Sequence, residues 1–343
     1  MKINSRRVLK EDFDDAFIYS LENARGMTVQ ILTVGATILS LKYPLKGGGL
    51  LETVLSHEDL GLYKTNPFYL GATVGRCANR IRKGSFSFDG KPYQLEKNSG
   101  DNHLHGGSLG YSYRNWLSRI QEEKLILSLE SPDGDGGYPG EIHCQLAFTL
   151  SENDVFTIDY YVETPDKSFA NLSNHTYFNL NHDKKSQITN HLLTLYADEI
   201  TDVDQELLPT GNFLKVEGTP LDFRKEKEIG RDIDVDFELI NRAGGYDYNY
   251  CLNNKGKLKL AATTFSPNSG IGFQFYTTSP GFQFYSGNNI KDRGGYHYGF
   301  RSGFCLEPQF YPDAINHSHF PSPILDKFHP QKFTSSFHFF EKI

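Results

Sequence analysis

The run Asn171-Leu-Ser-Asn-His-Thr-Tyr-Phe-Asn-Leu180 sets hydrogen-bonding side chains around one group that titrates near neutrality. Read as a strand, its side chains alternate between two faces. One face carries Asn171, Ser173, His175, Tyr177 and Asn179. The other carries Leu172, Thr176, Phe178 and Leu180, with Asn174 the one amide among them. An apolar face seeks the core. A face of amides, hydroxyls and an imidazole suits a ligand covered in hydroxyls, with a proton donor in its wall.

Four other segments offer chemistry. Glu307 lies in Gly303-Phe-Cys-Leu-Glu-Pro-Gln309, where alternation puts Cys305, Glu307 and Gln309 on one face and Phe304 and Leu306 on the other. Desolvation there would raise the carboxyl pKa and make Glu307 a better base near neutrality. A surface glutamate at a strand end is the competing reading. Asn102-His-Leu-His-Gly-Gly107 would place His103 and His105 on one strand face, a spacing that can bind metal. Glycines follow instead of a carboxylate, which disfavours metal. One histidine facing a ligand and the other supporting the loop fits better, with glycines letting backbone approach, and a purely structural role for both fits nearly as well.

Asn79-Arg80 offers fixed donors for hydroxyls, though an ordinary surface arginine has the same sequence appearance. Asp247 sits among aromatics in Gly244-Gly-Tyr-Asp-Tyr-Asn249 and reads either as a sugar grip or as a turn residue. Gln283 alternates with Phe282 and Phe284, so it points away from the core towards ligand or solvent.

The elements that must position these residues read as strands. Val29 to Leu41 holds one or two. Phe86 to Leu95 reads as a hairpin closed by Asp89-Gly90. Leu125–Leu129, Ile142–Leu150, Val155–Val162, Leu258–Phe265, Gly272–Thr277 and Gly281–Tyr285 follow. Ser279-Pro280-Gly281 would turn the last two onto each other. Short helical stretches are expected near 56–63 and 226–232. Many short strands with frequent turns indicate an all-β protein, and one large antiparallel β-sandwich spanning residues 1–343 as a single domain is preferred to two domains.

The chain has 343 residues and a net charge of -7, which argues against a nucleic-acid or anionic-membrane partner. The cysteines Cys77, Cys144, Cys251 and Cys305 form no C-x-x-C pair and read as free thiols in a reducing compartment. With no export signal or membrane span visible, a cytoplasmic location is expected, and the glycosylation matches at Asn171, Asn174 and Asn316 read as coincidence.

In this order the segments resemble the aldose 1-epimerase (galactose mutarotase) family. The resemblance rests on Asn79-Arg-Ile with Gly84, the Phe88-Asp-Gly90 hairpin, Asn102-x-Leu-His-Gly-Gly107 and Gly137-Tyr-Pro-Gly140. It continues through Asn174 to Leu180, Tyr246-Asp247, Pro280-Gly-x-Gln-Phe-Tyr285, Leu306-Glu-Pro-Gln309, Pro312 to Asn316 and Phe320-Pro-Ser322.

It implies a mutarotase-like supersandwich, interconversion of the anomers of free hexoses such as glucose and galactose, and no metal or cofactor. Glu307 would be the general base and His175 the general acid. Arg80, His105, Asp247 and Gln283 would contact sugar, with Asn79 and Tyr177 nearby. His103, 108–114 and 181–190 receive no role. For His175 to begin as the acid, a carboxylate or carbonyl is expected beside it to favour its charged form.

Three alternatives use the same residues: a glycoside hydrolase with Glu307 and Asp247 as its carboxyl pair, a non-catalytic sugar-binding module, and a hexose-phosphate epimerase. The last would need a basic cluster, which the motifs lack. The partner is a small sugar; monomer and homodimer are both open.

Overall fold

The computed structural model describes residues 1–8, 15–290 and 297–342. Its strands form three large antiparallel sheets of nine, six and five strands, with smaller two-stranded ladders around them. Among the described residues there is one α-helix, Glu238–Ala243, which the sequence pattern did not predict. The stretches expected to be helical hold no α-helix: Leu60–Lys64 and Ile229–Arg231 are 3-10 turns, and Lys227–Glu228 is a short strand. No described helix is long and apolar enough to cross a membrane.

Ile142–Leu150 shows how period-two patterning builds the nine-stranded sheet: every second residue is buried and its neighbours are half-exposed. Two long ladders close the sheet's middle, where Gln331–Glu341 pairs with Val155–Glu163 on one side and Ile271–Thr277 on the other.

The six-stranded sheet differs. Gly281–Tyr285 and Phe304–Gln309 are buried on both faces. One face packs onto the nine-stranded sheet through aromatic rings: Phe178 lies 4.7 Å from Phe273, and Phe275 lies 5.9 Å from Phe282. The opposite face carries the polar side chains of the site.

Ser279-Pro280 therefore does not close a hairpin. Ile271–Thr277 pairs within the nine-stranded sheet and Gly281–Tyr285 within the six-stranded one. The turn passes the chain between sheets, and the two strands meet face to face. The Phe86–Leu95 hairpin forms as expected, with Asp89 and Gly90 at φ 48° and 76° in its turn. All four cysteines are free, and three of them are buried.

Candidate active site

Three neighbouring strands supply one wall. The register sets Asn249 opposite Gln283 and Gln283 opposite Glu307. Alternation then adds Asp247, Tyr285, Cys305 and Gln309 to the same face. Tyr177 joins at the edge, paired with Cys305.

His175 arrives differently. The run 171–180 is not one strand but two short ones, Ser173–Asn174 and Tyr177–Phe178, which pair with different partners. The break between them holds His175, whose N–H and C=O bond to the backbone of Ala72 and Gly71. The whole run is buried, so the expected division into core face and ligand face holds only in part. Asn171 and Asn179 serve backbone instead: Asn171 brackets Phe310, and Asn179 donates to the Ser186 and Ser302 carbonyls.

His103 and His105 also diverge. The strand is only His103–Leu104, and His105 takes φ 52°. His103 Nδ1 donates to the Glu96 carbonyl at 2.7 Å, so its Nε2 accepts from the Tyr138 hydroxyl at 2.6 Å. It supports the loop. Gly106 allows the close packing expected there: a Cβ would lie 1.8 Å from the Gly75 carbonyl oxygen.

His105, His175, Glu307, Asn79, Arg80, Tyr177, Asp247 and Gln283 all line one cavity of about 140 Å³. Tyr69, Phe68, Tyr285 and Asn289 line it too. Strand patterning does not single out Tyr69, which sits at φ 56° in a loop and places its ring 4.8 Å from His105 and 5.9 Å from His175. The aromatic pair Phe68-Tyr69 just ahead of Gly71 was the one available signal.

At the centre, His175 Nε2 lies 3.7 Å from Glu307 Oε2. That is too long for a hydrogen bond, and Oε2 has no donor among the described residues, although Glu307 is 2% exposed. Burial, then the charge of Asp247, pushes the Glu307 carboxyl well above its usual range, against a smaller opposing effect of Arg80. Burial lowers His175 to about 4. The expected stabilisation of a charged His175 is thus outweighed by desolvation, even with Glu307 beside it. His175 Nδ1 meets the Cys305 sulfur at 3.4 Å.

Around this pair, Asp247 faces Arg80 at 3.9 Å and accepts from Gln283 at 2.6 Å. Asn79, at φ 62°, caps the Arg80 N–H with its side chain.

Among the described residues, His105, His175 and Glu307 bring ligand atoms within 4.8 Å of one another, the spacing of a metal triad. The hydrogen bonding opposes that use. His105 Nδ1 accepts the Asn79 N–H at 3.1 Å, so in the neutral ring Nε2 carries the proton and has no lone pair to give. Burial lowers the His105 pKa well below its usual value, which keeps the ring neutral and its Nε2–H a donor. A wider cleft of about 890 Å³, bordered by Asp222 and Arg224, holds charges already paired with each other at 2.9 Å.

Comparisons with known proteins identify the family of the chain. The aldose 1-epimerase family model matches residues 18–337, and the chain belongs to that family. It is similar to a galactose mutarotase from Bos taurus, 38% identical over 303 residues and 87% of each chain. It is also similar to an aldose 1-epimerase from Escherichia coli, 35% identical over 326 residues and 94% of each chain. A galactose 1-epimerase structure from Lactobacillus acidophilus superposes with a TM-score of 0.88 at 29% identity, covering 100% of this chain and 99% of the other. The family's activity is a mutarotase-type isomerisation at the sugar ring.

Proposed function

We propose that this chain interconverts the α and β anomers of free hexoses, glucose and galactose among them, with Glu307 and His175 as its acid–base pair. The observation that carries the reading is that pair, buried and 3.7 Å apart, opening into a cavity whose other polar groups are hydrogen-bonding ones. The relatives named for galactose support that substrate.

The step balances on one proton. With the ring closed, Glu307 is a carboxylate and His175 an imidazolium. Glu307 takes the proton from the C1 hydroxyl while His175 protonates the ring oxygen. The C1–O5 bond breaks and a C1=O1 carbonyl forms, leaving Glu307 protonated and His175 neutral. After rotation about C1–C2, Glu307 returns its proton to O1, His175 takes the O5 proton, and O5 closes on the other face.

Burial favours the neutral form of both residues, which is the form accompanying the open aldehyde. The ionised pair that starts ring opening is thus the higher-energy arrangement of the same proton, and it is discharged as the aldehyde forms. His105 Nε2–H and Arg80 supply donors, and Asp247 an acceptor, for the remaining hydroxyls.

A glycosidase reading gains no support: Asp247 accepts from Gln283 through Oδ1 and faces the Arg80 guanidinium through Oδ2 at 3.9 Å, the setting of a binding carboxylate rather than of a general acid. Among the described lining residues Arg80 is the one cation, and it already faces Asp247, which disfavours a phosphorylated sugar. Polarimetry on freshly dissolved α-D-glucose and α-D-galactose tests the proposal. A rotation that relaxes no faster with enzyme than without it would end this assignment.

A further inference from the structure

Asp247 is held by a chain of amides whose direction follows from donor and acceptor counts alone. A carboxylate only accepts, so Gln283 must turn its NH2 group towards Asp247, which it does at 2.6 Å. The Gln283 oxygen then faces the other way, where it needs a donor. Gln309 provides one, sharing its NH2 between Gln283 Oε1 and Asn249 Oδ1 at 3.2 Å each. Among the described residues the Gln309 oxygen has no partner, although Gln309 is 1% exposed.

An unpaired buried acceptor costs folding free energy. Turning the Gln309 amide over would not relieve it, because its oxygen would then confront the Gln283 and Asn249 oxygens. The amide is oriented by what Gln283 needs. Gln309 lies outside the lining of the sugar cavity. With Oδ1 of Asp247 taken by Gln283, only Oδ2, which faces Arg80, is free for a ligand.

We infer that Gln309 is a positioning residue for substrate binding, fixing through Gln283 the plane of the Asp247 carboxylate that grips the sugar. This rests on the proposal that Asp247 contacts substrate.

Two variants test it. Gln309→Met keeps the bulk and removes the donor; Gln309→Leu removes it with a branched apolar side chain. The expected result is a KM for galactose raised about tenfold, the equivalent of one hydrogen bond near the upper end of its range, with kcat within about threefold of the parent. The effect should vanish in a Gln283→Leu background, where Gln309 has nothing to orient. A residue with a merely structural role would lower the melting temperature and leave KM alone. If either folded variant keeps the parental KM, or if the KM effects of Gln283→Leu and Gln309→Met add independently, the inference falls.

Calorimetric titration with galactose separates it from the function proposed above. A parent chain that binds galactose without turnover, and binds it more weakly as Gln309→Met, overturns the activity but keeps the positioning role. A parent that turns over, with no KM change in the variants, does the reverse. A parent that neither binds nor turns over overturns both.

Discussion

At the scale of single residues, the proposed chemistry lies in one proton shared by two buried groups. Glu307→Gln should lose at least about 10²-fold in turnover, the lower range for a positioned proton transfer, while calorimetry still detects galactose binding. His175→Asn should fall comparably. Parental turnover in Glu307→Gln would remove the base assignment.

The pH dependence follows from the same pair. On the acid side, activity is lost when the pair takes up a second proton. With Glu307 protonated, that proton goes to His175, so the acid limb should centre near pH 4 rather than near the ordinary histidine value. On the alkaline side, activity is lost when Glu307 gives up the shared proton, above the usual carboxylate range because burial raises it. A kcat/KM profile falling already between pH 7 and 6 would contradict this placement.

At the scale of elements, loops without regular structure hold the histidines in place. Arg76 is buried and donates to the carbonyls of Pro139 and Gly140 at 3.0 and 2.7 Å and of Ser131 at 3.2 Å. It thereby ties the 131–140 segment to the loop that carries Arg76 itself. Its guanidinium lies 5.4 Å from the Tyr138 ring, and Tyr138 donates to His103. His103 in turn bonds Glu96 and leads directly into the turn that aims His105 at the cavity.

Tyr138→Phe leaves the His103 Nε2 buried without its donor and should cost about 1–3 kcal/mol in urea unfolding. An unchanged urea midpoint would show that the loop does not depend on this bond. The link between the Gly75-Arg-Cys-Ala-Asn-Arg-Ile81 and Gly137-Tyr-Pro-Gly140 segments is therefore mechanical. As isolated motifs they read as binding and turn signals, and only the fold shows that one clamps the other.

At the scale of the whole molecule, several buried histidines couple stability to pH. Burial lowers His175 to about 4 and, aided by the charge of Lys184, His191 to about 3; His105 is lowered as well. His191 Nε2 accepts the Leu180 N–H at 2.9 Å, which requires an unprotonated nitrogen there. These groups have folded-state pKa values below their unfolded ones. Between about pH 6.5 and those lower values the unfolded chain binds more protons, so stability falls as pH drops through that window and is insensitive to these groups above it. A urea midpoint that stays flat from pH 7 to pH 4.5 would overturn the expectation.

The limits of sequence reading follow from particular residues. Asp247, Gln283, Glu307 and Gln309 lie on regular strands, where a period of two assigns each side chain a face from local order alone. The strands Ile142–Leu150 and Gly281–Tyr285 were delimited residue for residue by their patterning. His175, His105 and Tyr69 follow no such period, since each sits at a strand break or at positive φ. What amino-acid order determined by itself was which side chains leave the core, together with a set of motifs whose sequence fits one enzyme family. Tertiary structure decided which strands are neighbours, that Ser279-Pro280 switches sheets, and that an imidazole from one segment faces a carboxylate 132 positions away, at 3.7 Å. The reason is physical: alternation is a property of the local backbone, whereas proximity and desolvation, which set the protonation of that pair, arise only when distant segments exclude water together.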